Sequence, residues 1–455
     1  MKDFNLIKRS KGIVKLALIN LVLLFTFLEA GSLGLYFVKN HQFFYTREKP
    51  KDTPDLGMDL EGVRLGESIV ERIHPFFGFV QKPGGDFRPG FKINNYGFIS
   101  PYDYPFKKKK KNQFIVGIFG GSVASNFSIY EVQHKIVAKY LKQLPELKDK
   151  EVIVLSFATG GYKQPQQLLI LNYFLTLGQE LDMVINIDGF NEVALASLNN
   201  REKIDISMPS VQHLQPLTNL ANNSLSTKAL TAILKIQENK DRIKEAVETL
   251  KNCKLALCNS VTSFYIQSFV NEYRRNLIRF EKERKKQGKQ SSGSIIYVNS
   301  EDNVLKDPVA FEKMANTWAK SSIFMNKVLS SSNVLYFHFF QPNQYFPTPR
   351  VFSEAEKKVA FNKDTPYAKS VRAGYPILFT KFRNLQKNNV RIFDAVNIFD
   401  KTKESVYIDS CCHYNKKGEE IFANYVGSSI LKRLISEKDK NKVDARLSQK
   451  LKVKN

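Results

Sequence analysis

A serine at the end of an apolar run is the first candidate for chemistry. Residues 114–119 read Phe-Ile-Val-Gly-Ile-Phe, and Gly120, Gly121 and Ser122 follow directly. The run predicts a strand buried on both faces, and ligands of such sheets bind at the carboxyl ends of the strands. The glycines permit a tight turn that exposes the Ser122 hydroxyl beside the next helix. A phosphate-binding loop is the alternative, but no Gly-Lys-Ser/Thr motif follows.

Two further loops follow apolar runs and carry hydrogen-bond donors. Gly161 lies in the loop at residues 158–162, where its backbone N–H can approach a substrate oxygen. Asn191 lies in the loop at residues 188–192, where its amide could do the same. Backbone N–H groups and asparagine side chains are typical donors to the oxyanion of an acyl-transfer reaction. Asn191 is also typical of a helix cap.

His413 is the best placed of the six histidines to act as a base for the serine. Asp409 lies in the same short loop, so its carboxylate could orient the imidazole, as a serine nucleophile requires. His74, which opens an aromatic loop, is a weaker candidate. Of the others, His41 lies in the predicted linker and His134 on a charged helix. His213 lies in a predicted polar loop, and His338 lies in the interior of an apolar strand.

These segments, in this chain order, resemble the four sequence blocks of the SGNH/GDSL hydrolases. The resemblance extends over about residues 74–434. It implies that Ser122 is the nucleophile, that His413 is its base and that Asp409 orients the histidine. The family usually has Asp-x-x-His, whereas Asp409 precedes His413 by four residues. An extra residue must therefore bulge out of the loop, or a backbone carbonyl must replace the carboxylate.

The resemblance also implies an oxyanion hole and a reaction. The N–H groups of Ser122 and Gly161 and the side chain of Asn191 would form the hole, without a metal ion or cofactor. The serine would attack an ester carbonyl, and water or a second alcohol would then remove the acyl group.

Five short apolar runs, separated by helical patterns, predict the fold. They span residues 114–119, 152–155, 183–187, 334–339 and 390–393. Strands that alternate with helices form parallel sheets with helices on both faces. We therefore expect an α/β domain with three layers, α/β/α, around a mostly parallel, flavodoxin-like sheet. Residues 74–98, rich in glycine, proline and aromatic residues, predict loops and short strands packed on a core.

An apolar segment near the N-terminus is long enough to cross a membrane. Residues 16–38 carry one formal charge, Glu29, and would form about 35 Å of helix. The basic residues within 1–15 predict a cytosolic N-terminus and an exported remainder. A cleaved signal peptide is the alternative, but no good small-x-small site follows. Because a carboxylate is costly in lipid, Glu29 predicts a partner helix or a position near the interface.

The remaining sequence divides by composition. Residues 39–73 predict a linker, residues 74–434 the hydrolase-like domain, and residues 435–455 a basic tail that is a frayed helix or disordered. Within the domain, residues from about 226 to 290 are charged and helix-rich, which predicts a helical insertion or lid. Their apolar positions favour core packing over a coiled coil. The serine- and glycine-rich segment 287–294 predicts a flexible loop.

Charge and cysteine content narrow the classes of function. The net charge is +25, but no zinc-finger spacing, RNA-binding aromatic motif or basic recognition helix is present, so nucleic-acid binding is not expected. A basic excess of this kind indicates a solvated surface or attraction to anionic lipid. The four cysteines form two close pairs without zinc-ligand spacing: Cys253 with Cys258, and Cys411 with Cys412. A Cys253–Cys258 disulfide and buried thiols are both compatible with the sequence.

Together these patterns predict a single-pass membrane protein with an extracytoplasmic serine esterase or O-acyltransferase domain. Its substrates would be O-acyl esters, such as acetyl esters, of envelope glycan or lipid. Hydrolysis and transfer use the same residues, so the sequence does not separate them. The alternative is a catalytically silent protein of the same fold that binds anionic glycan or lipid during envelope assembly. The presence of Ser122, His413 and the three donors argues against that alternative.

Overall fold

The computed structural model describes residues 2–46, 59–60, 63–64, 71–84, 86–218, 226–287, 303–363 and 365–452. The chain divides into two compact units. The first comprises Met1–Ile69 and Asn219–Ile295, and the second comprises Val70–Thr218 and Ile296–Asn455. Most of the predicted linker, and the predicted flexible loop from residue 288 onward, lie outside the described residues.

The strands of the described residues are numbered along the chain. They are β1 (Asp59–Leu60), β2 (Val63–Arg64), β3 (Glu71–His74), β4 (Gly78–Gln81), β5 (Asp86–Arg88), β6 (Phe91–Ile93), β7 (Ile99–Ser100), β8 (Gln113–Gly120), β9 (Glu151–Ala158), β10 (Met183–Asp188), β11 (Leu335–Phe340) and β12 (Arg391–Asp394). The last five coincide with the five predicted runs to within a few residues. Strands β3 to β7 form small antiparallel sheets, as the composition of residues 74–98 predicted.

The helices are numbered in the same way. They are α1 (Lys2–Asn40), α2 (Ser122–His134), α3 (Ile136–Leu141), α4 (Gln166–Thr176), α5 (Phe190–Arg201), α6 (Val211–Thr218), α7 (Thr227–Asn252), α8 (Ala256–Gln287), α9 (Asp307–Ser331), α10 (Glu354–Ala360), α11 (Tyr367–Phe379), α12 (Phe382–Lys387) and α13 (Lys416–Lys452), with short 3-10 helices at Phe44–Thr46 and Pro145–Leu147. Helix α13 continues through most of the predicted tail, because no proline or glycine interrupts it after residue 427.

A five-stranded, fully parallel sheet forms the centre of the second unit. The strands lie in the order β9-β8-β10-β11-β12, so in chain order the sheet reads 2-1-3-4-5. The prediction of a mixed α/β protein with a parallel sheet is confirmed. Gly120 at the end of β8 pairs with Ala158 on one side and Ile187 on the other. The loops after these three strands therefore open at the same edge of the sheet.

The first unit contains the apolar helix and the helical insertion. Within α1, the segment Lys15–Asn40 is long and apolar enough to cross a membrane. Helices α7 and α8 pack against each other around five buried side chains: Ile243, Val247, Ile266, Val270 and Tyr273. A Cys253–Cys258 disulfide closes the turn between them, which decides between the two alternatives left open by the sequence.

Close contact between α5 and α11 gives a test of the packing in the second unit. A Cβ atom at Gly374 would lie 2.4 Å from Val193 Cγ1. An alanine in a helix is normally favoured over glycine by about 1 kcal/mol, but overpacking a core costs about 1–3 kcal/mol. We expect Gly374→Ala to destabilise the second unit by about 1 kcal/mol. Urea unfolding followed by the fluorescence of Trp318, the single tryptophan, would measure this change.

Val193→Ala supplies the control for this prediction. The Val193 side chain is buried, and its truncation should cost about 1–2 kcal/mol on its own. Because the new methyl group at position 374 would occupy the space left by the valine, the double variant should lose less than the two single losses combined. Strictly additive losses would show that the two side chains do not compete for space.

Candidate active site

Ser122 follows the carboxyl end of the interior strand β8 and is the first residue of α2. The N–H of a first helical residue has no partner within its own helix. The hydroxyl and the N–H of Ser122 are thus both placed at the edge where the loops of the sheet open. This position agrees with the prediction from the apolar run and the two glycines.

Ser122, His413 and Asp409 form one chain of hydrogen bonds. The Ser122 hydroxyl donates to His413 Nε2 over 2.7 Å. The opposite ring nitrogen, Nδ1, donates to the Asp409 carboxylate oxygen Oδ2. The serine and the histidine are 291 residues apart in the sequence, and the loop between β12 and α13 brings them together. The chain has the order nucleophile, base and orienting carboxylate that activates a serine.

The backbone of the Asp409 loop explains how the unusual spacing is accommodated. The second carboxylate oxygen, Oδ1, accepts the N–H groups of Cys411, Cys412 and His413 at 2.9, 3.0 and 3.3 Å. The loop is therefore wound around the carboxylate. A separation of four residues still lets the other oxygen reach the imidazole, so the departure from Asp-x-x-His does not displace Asp409.

The same contacts keep Asp409 ionised. Burial alone would raise the pKa of its carboxyl group, but the hydrogen bond and charge of His413, together with the N–H groups of the loop, outweigh burial and lower the pKa to about 2. Hydrogen bonds to the charged form favour that form. Asp409 therefore offers His413 a full negative charge at neutral pH.

Asn191 lies against the turn that carries the serine. Its Nδ2 donates to the Tyr162 carbonyl over 2.8 Å. A Cβ atom at Gly121 would lie only 2.2 Å from the same nitrogen, so any larger residue at position 121 would push the amide away. The glycine next to the serine is thus required by the close approach of Asn191. The loops after β8, β9 and β10 meet at this point, as predicted.

Gly161 lies in the loop beside Ser122 with its backbone in the left-handed region, at φ +79°. A Cβ atom at the preceding Gly160 would lie 3.9 Å from Ser122 Cβ, whereas one at Gly161 would lie 2.3 Å from His213 Nε2. The predicted donor loop therefore lies close to the serine on one side and packs tightly against a histidine on the other.

The sequence predicts a polar loop at His213, and this prediction is wrong. It lies in α6 and is 92% buried, with 8% of its surface exposed. The ring stacks on Phe79 at a centroid distance of 4.7 Å, and its Nδ1 contacts Glu71 Oε1 at 2.8 Å. The contact with Glu71 joins residues 142 positions apart, so no local pattern could have revealed it.

Glu192 fixes the second and third loops to each other. Its carboxylate accepts the Gly189 N–H at 2.8 Å and the Gln164 N–H at 3.0 Å. Burial, followed by the charge of Asp188, raises the pKa of Glu192 well above its ordinary value. The sequence indicated Asn191 in this segment but missed the positioning role of the glutamate beside it. A glutamate three residues after a helix cap was the signal available.

Two other histidines, His338 and His74, have hydrogen-bond partners outside the Ser122 chain. His338 is fully buried in β11, where Nε2 donates to Asp188 over 2.7 Å and Nδ1 accepts from the Ser322 hydroxyl at 2.8 Å. The prediction that it is a satisfied core residue is confirmed. His74 Nδ1 accepts the Phe77 N–H at 3.1 Å, which occupies that nitrogen in a turn.

One group of potential metal ligands occurs among the described residues. The sulfur atoms of Cys411 and Cys412 and a ring nitrogen of His413 lie within 4.8 Å of one another. However, both nitrogens of His413 already take part in hydrogen bonds to Ser122 and Asp409. Burial raises the pKa of the Cys412 thiol well above its ordinary value, and metal binding requires a thiolate. These contacts favour the hydrogen bonds of His413 to Ser122 and Asp409 over metal binding. The raised pKa also leaves Cys412 a poor nucleophile.

Comparisons with known proteins give no family for this chain. No model of a protein family matches the sequence, and no curated protein sequence matches it either.

The lowered pKa of Asp409 predicts a pH dependence of stability. A carboxyl group whose pKa is lower in the folded than in the unfolded chain stabilises the fold above the unfolded value of about 3.9, and this stabilisation is lost as pH falls towards 2. Because the Asp409 side chain is 37% exposed, solvent screening reduces its contribution to the free energy of unfolding, and we expect a contribution of about 1 kcal/mol. Urea unfolding of the wild type and Asp409→Asn, followed by Trp318 fluorescence, should show a stability gap at pH 5 that narrows below pH 4.

A gap that stays constant from pH 5 to pH 2.5 would contradict this prediction. Asp103, whose pKa is lowered chiefly by Lys92 at the surface, supplies a comparison. Asp103→Asn should change stability less than Asp409→Asn, because exposed ion pairs contribute little.

Proposed function

We propose that this chain is a membrane-anchored serine esterase or O-acyltransferase of the SGNH/GDSL type. The observation that carries the proposal is the continuous hydrogen-bond chain from Ser122 through His413 to Asp409. The neighbouring donors strengthen it, since Asn191 and the glycine loop lie beside the serine. A purely structural role would not require a partly exposed serine to be paired with an oriented imidazole.

In the proposed reaction, the Ser122 oxygen forms a bond to an ester carbonyl carbon while His413 Nε2 takes the hydroxyl proton. The carbonyl oxygen becomes an oxyanion held by the N–H groups of Ser122 and Gly161 and by Asn191. The C–O bond to the alcohol then breaks, and His413 returns the proton to the leaving alcohol. Water, or the hydroxyl of an acceptor, removes the acyl group from the serine by the reverse sequence.

The anchorage and the fold belong to the same proposal. The domain around the central sheet would be a three-layer, flavodoxin-like sandwich, a class in which the strand order 2-1-3-4-5 is common. Helix α1 would cross the membrane with its basic N-terminal residues in the cytosol. The rest of the chain would lie on the extracytoplasmic side, and the Cys253–Cys258 disulfide supports this placement because disulfides persist in oxidising compartments. The substrates would be O-acyl esters of envelope glycan or lipid.

A fluorophosphonate probe tests the proposed nucleophile without assuming a substrate. The detergent-solubilised full chain should be labelled, and Ser122→Ala should lose the label completely. Hydrolysis of p-nitrophenyl acetate should fall by about 10³-fold or more in Ser122→Ala. In Asn191→Ala it should fall by about 10²–10³-fold, chiefly in kcat, because the amide would act on the oxyanion.

Ser330→Ala is the matched control, because Ser330 is exposed on α9, outside the site. It should label and hydrolyse like the wild type. Labelling of Ser122→Ala at the wild-type level, or equal hydrolysis rates in the two proteins, would remove the enzymatic proposal. The catalytically silent binding protein would then be the better description of this fold.

A further inference from the structure

The first half of α8 has a composition unlike the rest of the chain. Residues 255–271 form a run of 17 residues without a charge, in a chain in which charged residues make up 25%. The following residues, 272–287, carry seven basic and three acidic side chains. Apolar helix surface can contact acyl chains, and clusters of basic residues are attracted to anionic headgroups.

Large apolar side chains on this uncharged half are exposed. Val261, Phe264 and Tyr265 have 46%, 74% and 54% of their surface exposed. The opposite face of the helix is occupied, because Ile266 and Val270 pack against α7. The uncharged half of α8 therefore has one face in the core of its unit and one apolar face open.

The beginning of α8 is bound to the apolar helix α1 through Glu29. The two carboxylate oxygens of Glu29 accept the N–H groups of Ala256 and Leu257, each at 2.8 Å. Tyr45 adds a hydroxyl donor to the same carboxylate at 2.5 Å. The single acidic residue of the apolar segment thus satisfies N–H groups that have no partner within α8.

The position of Glu29 along α1 determines how deep this residue would lie in a bilayer. Glu29 follows Lys15, where the candidate span begins, by 14 residues, which is about 21 Å of helix. The hydrocarbon core of a bilayer is about 30 Å thick, so if it begins at Lys15, Glu29 lies about 9 Å inside the far boundary. The beginning of α8 must then lie at the same depth, since its N–H groups contact the carboxylate.

We propose that the first half of α8 lies along the far boundary of the hydrocarbon core, at or above the depth of Glu29. Phospholipid acyl chains would cover Val261, Phe264 and Tyr265, and the basic second half of α8 would lie among the headgroups. Since this requires α1 to cross the membrane, it relies on the anchorage proposed above. It adds a second membrane contact. The Glu29 carboxylate and the N-terminus of α8 can lie together in lipid because each satisfies the hydrogen bonds of the other.

Lipid covers this face better than a second protein copy does. The beginning of α8 lies at Glu29, between Leu28 and Leu35 of α1, whose exposed side chains would be in contact with acyl chains in any case. A second copy of the chain would have to compete with lipid at both surfaces, and lipid is as apolar as the side chains concerned.

Tryptophan reporters test the insertion in the full chain. We would place Phe264→Trp, Leu35→Trp and Leu234→Trp separately in protein reconstituted into vesicles of phosphatidylcholine and phosphatidylglycerol with brominated acyl chains, which quench nearby tryptophans. Native Trp318 is fully buried, so the wild type supplies the background. Leu234 is the matched control: it is a 68% exposed apolar residue on α7, about 28 Å of helix away from the disulfide-closed turn.

We expect bromolipid to quench the reporters at 264 and 35 at least twofold more than the reporter at 234. Quenching at 35 but not at 264 would overturn the insertion while leaving the anchorage intact. Absence of quenching at both positions would remove the anchorage and the insertion together, whereas fluorophosphonate labelling of Ser122 would still report on the enzyme. A reporter at 264 that responds to protein concentration instead of bromolipid would identify a second copy as the occupant and would also overturn the proposal.

Discussion

The register of the parallel sheet is the constraint on which the candidate site depends. Gly120, Ala158 and Ile187 lie side by side, so the loops that begin after them share one edge. A shift of one residue in β8 would turn every side chain of that strand to the opposite face of the sheet. The strand is buried along nearly its whole length, which makes such a shift costly. The position of Ser122 is therefore set by burial of the strand that precedes it, more than by any contact of the serine itself.

Close packing at this edge of the sheet restricts which side chains can fit there. Asn191 fits only because residue 121 has no side chain, and Glu192 accepts N–H groups from two loops while itself buried. Lys163, in the loop after β9, is also fully buried and donates to the carbonyl of Met208 at 2.5 Å. Burial lowers its pKa to about 7. Buried polar groups of this kind cost stability unless each is paired, so the site is held by a network whose members depend on one another.

The sequence predicted those features that depend on local patterns. The five strands follow from short apolar runs, and Ser122 and His413 follow from their places beside a strand and an aspartate. The pairing of His213 with Glu71 joins segments 142 residues apart, and nothing in either segment indicates the other. The sequence likewise did not decide whether Cys253 and Cys258 were joined, since five residues of separation permit both states. Helix α13 continues into the predicted tail, since a polar, basic composition is compatible with helix as well as with disorder.

Two acidic residues show how backbone N–H groups, instead of sequence spacing, determine what a carboxylate can do. Asp409 is four residues from its histidine, yet the N–H groups of residues 411–413 hold one of its oxygens and leave the other for the imidazole. Glu29 is 227 residues from Ala256, yet it accepts the first N–H groups of α8. In both cases, charge on an oxygen is balanced by donors that would otherwise lack partners. The Asp-x-x-His spacing is therefore one way to bring a carboxylate oxygen to the histidine ring. A longer loop that wraps around the carboxylate is another.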